Sequence, residues 1–208
     1  MTGQDLVDQL KQLGFDNTDD EILEWANERQ KEMVAVARSR RQLVSIGPTV
    51  VDQPDYDVPA TIVHLFEVAV SGAPYGGTIH TDLALADQSD LVWLGNGLWA
   101  VGENEDDGTK KIRLIPAPSE AGQTIVLYAA VRAPELTLAG QVYIDDEFVR
   151  YLRYGAMATG WDLNAEDGNT SERYEARFEA GVERYRRWVA RRFRGSGPAQ
   201  IRVKGLNA

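Results

Sequence analysis

The spacing of hydrophobic residues changes twice along this chain of 208 residues. Near the N-terminus, hydrophobic residues follow the three- and four-residue intervals of a helix face and are predicted to form its core side: Ile22, Trp25, Ala26, Met33, Val36 and Ala37. This spacing returns after Ile144. Between these regions lie short β-branched runs separated by turn residues. This layout predicts an α+β fold with helices at both ends and a β-rich middle.

Two helices are predicted before the β-rich region. The first covers Asp5–Leu13, and the second begins after Thr18 and ends near Arg38–Arg41. Thr18 and Glu21 have the spacing of a capping box, in which each side chain accepts a hydrogen bond from the other residue's backbone N–H. The cations at the end of the second helix suit the negative end of its dipole.

The middle of the chain has the composition of several short strands. They are predicted at Val44–Val51, Thr61–Val70, the two arms of a hairpin over Leu91–Val101, Lys110–Ile115 and Gln123–Val131. The hairpin carries Asn96-Gly97, which supplies the two positive-φ positions of a type I′ turn. Regular turns between short strands predict a small antiparallel β-sandwich or barrel-like domain.

Helical spacing returns at Asp145, which is predicted to cap a helix. The core stripe of this helix is predicted to be Phe148, Leu152, Ala156, Thr159 and Leu163. Gly155, Ala156 and Thr159 keep one side of it slim, so we expect subunit–subunit packing at these three positions. A final helix, capped by Asn169, is predicted from Thr170 to Arg194.

The end of the chain is strongly basic. Arg184–Ala208 holds eight of the 22 basic residues and neither Asp nor Glu. Residues 1–183 therefore hold all 32 acidic residues with 14 basic ones, a net charge of −18 against +8 for the end. Charge separated in this way predicts docking of the basic end onto another body.

Four arginines of the last helix share one face. Arg184, Arg187, Arg191 and Arg194 are spaced by three, four and three residues, and Trp188 lies among them. Arg177 is predicted to extend the same face toward the N-terminus. This pattern leaves three interpretations open: a solvated face neutralised by acids of the same fold, a protein docking surface, or a phosphate contact. Arginine's planar fork and weak hydration favour pairing with carboxylates at an interface.

Composition excludes several classes of protein. The chain has no cysteine, so disulfides and thiolate metal sites are impossible, and we expect a protein made in a reducing cytoplasm. No signal-peptide pattern or apolar run of membrane-spanning length is present, so we expect no membrane association. A net charge of −10 argues against general nucleic-acid affinity.

No catalytic, cofactor or metal site is predicted. His64 and His80 belong to no spaced ligand motif, and both are expected at ordinary sheet positions. The acidic run Glu103–Asp107 resembles the start of a calcium loop, but Leu114 stands where that loop needs a bidentate Glu. Asp145–Glu147 is explained by the dipole of the helix that it opens. We expect a protein without enzymatic activity.

Six short segments, in this order and spacing, give the chain a family resemblance. They are Asp20–Glu28, Asp55–Ala60, Ile112–Pro118, Thr124–Tyr128, Ile144–Phe148 and Tyr174–Phe178. Together they resemble the head–tail connector proteins of tailed bacteriophages, also called adaptor or neck proteins. The likeness covers residues 5–194.

The resemblance implies a helical domain from both chain ends around an inserted β-domain. The expected divisions are 1–41, 42–140, 141–194 and an extended arm over 195–208. It also implies a virion protein that is assembled in the host cytoplasm as a ring, commonly of twelve subunits. The ring would join the portal ring to downstream stopper or tail proteins, and double-stranded DNA would pass through it without specific binding. Portal docking would then fall to Arg184, Arg187, Trp188, Arg191, Arg194, Ile201, Arg202 and Lys204.

Two other functions remain open from the sequence. One is a carbohydrate-binding β-module of a virion or cell-surface assembly, with Trp93, Trp99 and Tyr75 as an aromatic platform. The other is a hydrolase whose site has no sequence signature.

Overall fold

A computed structural model describes residues 1–75, 98–103, 109–164 and 168–193, and it confirms the predicted α+β class. The described chain forms two compact units. One takes its residues from 1–40 and 132–193, and the other from 41–131. The helices are α1 (Gly3–Lys11), α2 (Asp19–Ala37), α3 (Val149–Leu163) and α4 (Gly168–Phe193).

Capping boxes begin both N-terminal helices. The hydroxyl of Thr2 accepts from the Asp5 N–H, and the Asp5 carboxylate accepts from the Thr2 N–H at 2.8 Å. Thr18 and Glu21 form the predicted box at α2, where the Thr18 N–H donates to the Glu21 carboxylate at 2.9 Å. The bonds from Thr18 hold the pKa of Glu21 below its ordinary value of 4.5.

Burial in the helical unit confirms most of the core positions that helical spacing predicts. Phe178, Tyr185 and Val189 of α4 are almost fully buried, as are the predicted core residues of α2 other than Val36. Val36 is 43% exposed and Leu163 is 64% exposed, so both core predictions are wrong. Leu163 is the last residue of α3.

Asp145 does not cap α3 with its side chain. A short 3-10 turn, Asp146–Phe148, precedes α3, and the Asp145 carboxylate makes no capping bond there. Asp145 is the N-cap residue of that turn, as predicted, but the cap lacks a side-chain hydrogen bond. Its charge lies instead 3.6 Å from the guanidinium of Arg192.

The non-helical segment that follows the β-region is fixed to α2 by two buried polar side chains. The Asn27 amide donates to the Leu136 carbonyl at 2.9 Å and accepts from the Leu136 N–H at 2.6 Å. Gln30 donates to the Pro134 carbonyl and accepts from the Tyr143 N–H. Each amide therefore satisfies one backbone donor and one backbone acceptor.

The slim side of α3 faces other helices of its own chain. A side chain at Gly155 would come within 2.7 Å of the Phe178 ring, and Ala156 is completely buried. The Thr159 hydroxyl accepts a hydrogen bond from Nε of Arg29. The two Nη atoms of the same guanidinium group donate to the Glu175 carboxylate at 2.8 and 2.9 Å. Intrachain packing thus accounts for these small residues, and the subunit contact predicted for them stays a prediction.

The β-unit holds two antiparallel sheets among its described residues. Their strands are β1 (Arg41–Pro48), β2 (Asp55–Asp57), β3 (Ile62–Val70), β4 (Ala73–Tyr75), β5 (Leu98–Glu103), β6 (Lys110–Ile115) and β7 (Thr124–Val131). The order is β1-β7-β3-β4 in one sheet and β2-β6-β5 in the other. The predicted alternation is clear in β6, where Ile112 and Leu114 are fully buried between more exposed residues.

Both sheets contribute to one apolar core. Ile112 and Leu114 of β6 belong to the same cluster as Val68 of β3 and Ile125 and Leu127 of β7. Shared burial of this kind is the arrangement of a β-sandwich. Within the described residues the sheets do not close into a barrel.

Several predictions fall on residues outside those described. They include the hairpin turn at Asn96-Gly97, His80, Trp93, most of the acidic run Glu103–Asp107, and the arm over 195–208. Of the other two residues of the aromatic platform, Tyr75 lies in β4 and Trp99 in β5, which belong to different sheets.

Candidate protein-docking groove

The antiparallel packing of α3 on α4 brings the start of one helix beside the end of the other. Tyr151 of α3 lies directly against Gly181 of α4, where a larger residue would overlap its ring. Further along, Gly155 faces Phe178, and the Ser171 hydroxyl donates to the Ala158 carbonyl at 3.1 Å. This register decides which side chains of the two helices meet on the surface.

A groove with a volume of about 840 Å³ lies at this end of the pair. Its main lining residues are Arg150, Tyr151, Arg184, Arg187, Trp188 and Arg191. We call it the arginine groove. Glu147 is the one acidic residue among the residues that line it, so four positive charges face one negative charge.

The hydroxyl of Tyr151 positions two of the four guanidinium groups. Arg150 donates to it through Nη2 and Arg184 through Nη1, each at 2.8 Å. The ring of Tyr151 is buried, and the Arg150 guanidinium also stacks on it at 4.7 Å from the centroid. A neutral oxygen thus holds two cations in place without neutralising them.

The four arginines lack acidic partners within the part of the chain that the structure describes. Arg150, Arg184, Arg187 and Arg191 are exposed and form no ion pair with a described carboxylate. Two other arginines of α4 do have such partners, because Arg186 pairs with Glu183 and Arg192 with Asp145. Neutralisation by described carboxylates therefore applies to Arg186 and Arg192 and not to the four arginines of the groove.

Aromatic rings form the base of the groove. Phe148 lies 5.6 Å from Trp188 and 5.0 Å from Tyr185, and the guanidinium of Arg192 covers Trp188 at 5.1 Å. Burial raises the pKa of Tyr185, so this ring stays an uncharged phenol near neutral pH. Arginine, tryptophan and tyrosine around a recess are the residues that most often dominate binding energy at protein interfaces.

The structure brings together the described part of the predicted docking set. Arg184, Arg187, Trp188 and Arg191 line the groove, as their helical spacing indicated. The remaining predicted residues, Arg194, Ile201, Arg202 and Lys204, lie outside the described residues. Arg177, predicted to extend the same face, instead stacks on Tyr154 and Tyr174.

Sequence reasoning missed the half of the groove that α3 contributes. Arg150, Tyr151 and Glu147 come from the start of that helix, and their spacing gives no sign of contact with α4. The available signal was Gly181, since a glycine inside a strong helix pattern often marks the close approach of a neighbouring side chain.

A second groove lies elsewhere on the helical unit and has the opposite charge. It has a volume of about 700 Å³ and lies between α2 and residues 135–139. Its charged residues are Asp20, Glu24, Glu28, Glu135 and Lys31, which give a net charge of −3. None of its four carboxylates forms an ion pair with a basic side chain among the described residues. We call it the acidic groove.

The described residues contain no group of three or more His, Asp or Glu side chains placed to hold a metal ion. His64 lies on β3 with its ring 4.8 Å from that of Phe66. No helix in the described ranges is long and apolar enough to cross a membrane.

Comparison with known protein families identifies what the chain is similar to. The family model of the SU10 adaptor protein matches residues 1–202, which is nearly the whole chain. No curated protein matches the chain.

Proposed function

The chain belongs to the SU10 adaptor protein family, a family of phage head–tail adaptors, and from that premise we propose that it forms a ring under the portal that joins capsid to tail. The family membership confirms the resemblance found in the six sequence segments. A virion component of this kind associates with other head and tail proteins. Twelve subunits, with DNA passing through the centre, are the arrangement that the resemblance implies.

The arginine groove is the observation that supports this function most directly. Four arginines around a recess, without carboxylate partners in the described chain, make a surface that is completed by acids of another molecule. Charge-assisted bonds from arginine forks to carboxylates are among the stronger polar contacts between proteins. The described residues that line the recess are four arginines, three aromatic side chains, one glutamate and one alanine, a composition that supports binding.

The portal contact is proposed for the basic end of the chain. Arg194, Ile201, Arg202 and Lys204 extend the charge of α4 beyond the groove in sequence. A portal surface rich in carboxylates would attract this end and repel the trunk, whose net charge is −18. The same negative trunk would let DNA pass without binding it, because phosphate contact needs an excess of basic residues.

Truncation tests the portal contact. A chain that ends at Arg194 should keep its helical circular dichroism but no longer sediment with portal rings, because it lacks Arg202 and Lys204. A chain that ends at Lys204 is the matched control, since residues 205–208 carry no charged side chain. Equal sedimentation of the two truncated proteins with the portal would contradict the proposal.

A further inference from the structure

We propose that the residues lining the arginine groove of one subunit bind the residues lining the acidic groove of the next copy of this chain. This contact would close the ring. The inference rests on the ring proposed above and names the partner of the groove. It divides the predicted docking set in two. The groove residues Arg184, Arg187, Trp188 and Arg191 meet the neighbouring subunit, and Arg194 with the arm is left for the portal.

The two grooves are matched in charge. The arginine groove has four arginines and Glu147, a net charge of +3, and the acidic groove has four carboxylates and Lys31, a net charge of −3. Each is unpaired with the opposite charge among the described residues of its own chain. Contact between copies would therefore satisfy both sets at once, and opposed charges also set the register of an interface.

The two grooves are formed by different elements of the helical unit and share no lining residue. Arg29 of α2 points toward α4, where it pairs with Glu175 and stacks on Phe178. At ~100° per residue, Asp20 and Glu24 lie about 180° and 140° around the helix axis from Arg29. The acidic groove is thus on the face of α2 turned away from α3 and α4, whereas the arginine groove is formed by those two helices.

Two different surfaces of a subunit that meet in successive copies make a heterologous contact. Such a contact repeats from copy to copy and closes into a ring when the rotation between copies allows it. A two-fold contact would instead need both grooves on one self-complementary patch, and two arginine grooves facing each other would repel. The charge pattern therefore favours a front-to-back ring over an isolated two-fold dimer.

Because the chain has no cysteine, introduced cysteines allow a direct test of this contact by cross-linking. Ala190→Cys places a thiol at the arginine groove, and Glu28→Cys places one at the acidic groove. Both proteins, alone and mixed, are assembled on portal rings and treated with a short bismaleimide. We expect dimers only in the mixture, and a ladder of higher multimers from a chain with both substitutions.

Two outcomes of this experiment overturn the inference. One is an unlinked mixture in material that sediments with the portal, and the other is efficient linkage of Ala190→Cys to itself, which indicates a two-fold contact. Failure to sediment with the portal at all counts instead against the proposed function. The two ideas are thereby tested separately.

Charge reversal gives a second, independent readout. Arg187→Glu with Arg191→Glu should lower ring formation at least tenfold by analytical ultracentrifugation of portal-bound material. Adding Glu24→Arg and Glu28→Arg to the same chain should restore it, because the charges are then exchanged between the two grooves. Arg173→Glu is the matched control on α4, since this exposed residue does not line the arginine groove and should leave the ring intact.

The same variants identify the other possible occupants of the groove. If the double reversal abolishes portal binding while cross-linking between copies persists, the groove binds the portal and the inference is wrong. If the reversal removes a gel shift with double-stranded DNA and leaves rings unchanged, the groove is a phosphate contact. Restoration of rings by the exchanged charges is expected only for contact between two copies.

Discussion

Replacing Asn27 with leucine tests whether one buried amide holds the non-helical segment onto α2. Asn27 is 7% exposed and satisfies both the N–H and the carbonyl of Leu136, at 2.6 and 2.9 Å. Leucine has a similar size but no polar atom, so both backbone groups would be left buried and unpaired. At ~1–3 kcal/mol for each of the two unpaired groups, the free energy of unfolding should fall by about 2–6 kcal/mol.

Urea unfolding followed by circular dichroism measures this loss, because the helical unit dominates the signal at the helix wavelength. Asn164→Leu is the matched control, since Asn164 is exposed and should change stability by no more than about 0.5 kcal/mol. A loss below about 1 kcal/mol for Asn27→Leu would refute the reasoning. It would mean that Leu136 finds water or another partner when the amide is removed.

Asn27→Asp adds a pH signature to the same prediction. The carboxylate can still accept from the Leu136 N–H, but it can donate to the Leu136 carbonyl only when it is protonated. Burial and that contact should raise the pKa of the new carboxyl above its unfolded value. The variant should therefore be least stable above its folded pKa and should recover stability as the pH falls toward the unfolded value, relative to the native protein.

Two further predictions concern a close contact and a capping box. Gly181→Ala should lower the free energy of unfolding by up to ~2 kcal/mol, because overlap of the new methyl group with the base of the Tyr151 ring outweighs the better helix propensity of alanine. Ala180→Gly, at an exposed position of the same helix, should lose about 1 kcal/mol from helix propensity alone. A gain in stability for Gly181→Ala would contradict the contact. Because the pKa of Glu21 is lowered in the folded protein, its contribution to stability is complete above the ordinary value of 4.5 and is lost as the pH falls through the folded pKa. Glu21→Gln should therefore flatten the decline of melting temperature in that acid range. An unchanged decline would contradict the stabilising role of the Glu21 carboxylate.

Local sequence patterns were sufficient to predict most of the helices and strands that the structure describes. The capping box at Thr18 and Glu21 appears in the structure as predicted, because it depends on residues three positions apart. The strands β6 and β7 were predicted to within one residue, since alternation and flanking turns are also local signals. The fold class followed from the order of these elements.

Predictions failed where a residue's environment depends on distant parts of the chain. Val36 and Leu163 have the correct helical spacing, but both are exposed, and helical spacing within one element does not show which positions another element covers. Residues 132–144 show neither helical nor alternating spacing, although Leu136 and Ile144 are buried in the helical core. What fixes that segment is the polar pairing with Asn27 and Gln30, which a hydrophobic pattern does not reveal.

The arginine groove shows the same limit at the candidate site. The spacing of Arg184, Arg187 and Arg191 was enough to place them on one face of α4, because a single helix determines it. Spacing alone did not show which side chains of other elements lie beside this row of charges. The structure adds Arg150 and Tyr151, whose contact with α4 depends on the antiparallel register of two helices.

The register also explains why the groove keeps its charge. Gly181 lets Tyr151 approach α4 so closely that its hydroxyl reaches Arg150 and Arg184 at once. A carboxylate at this position would neutralise the pair within the chain, whereas a phenol holds both guanidinium groups in place and leaves their charge available. Holding like charges together without a counter-charge is unfavourable for an isolated subunit. The arrangement becomes favourable when a partner supplies the carboxylates, so its cost in the free chain favours assembly.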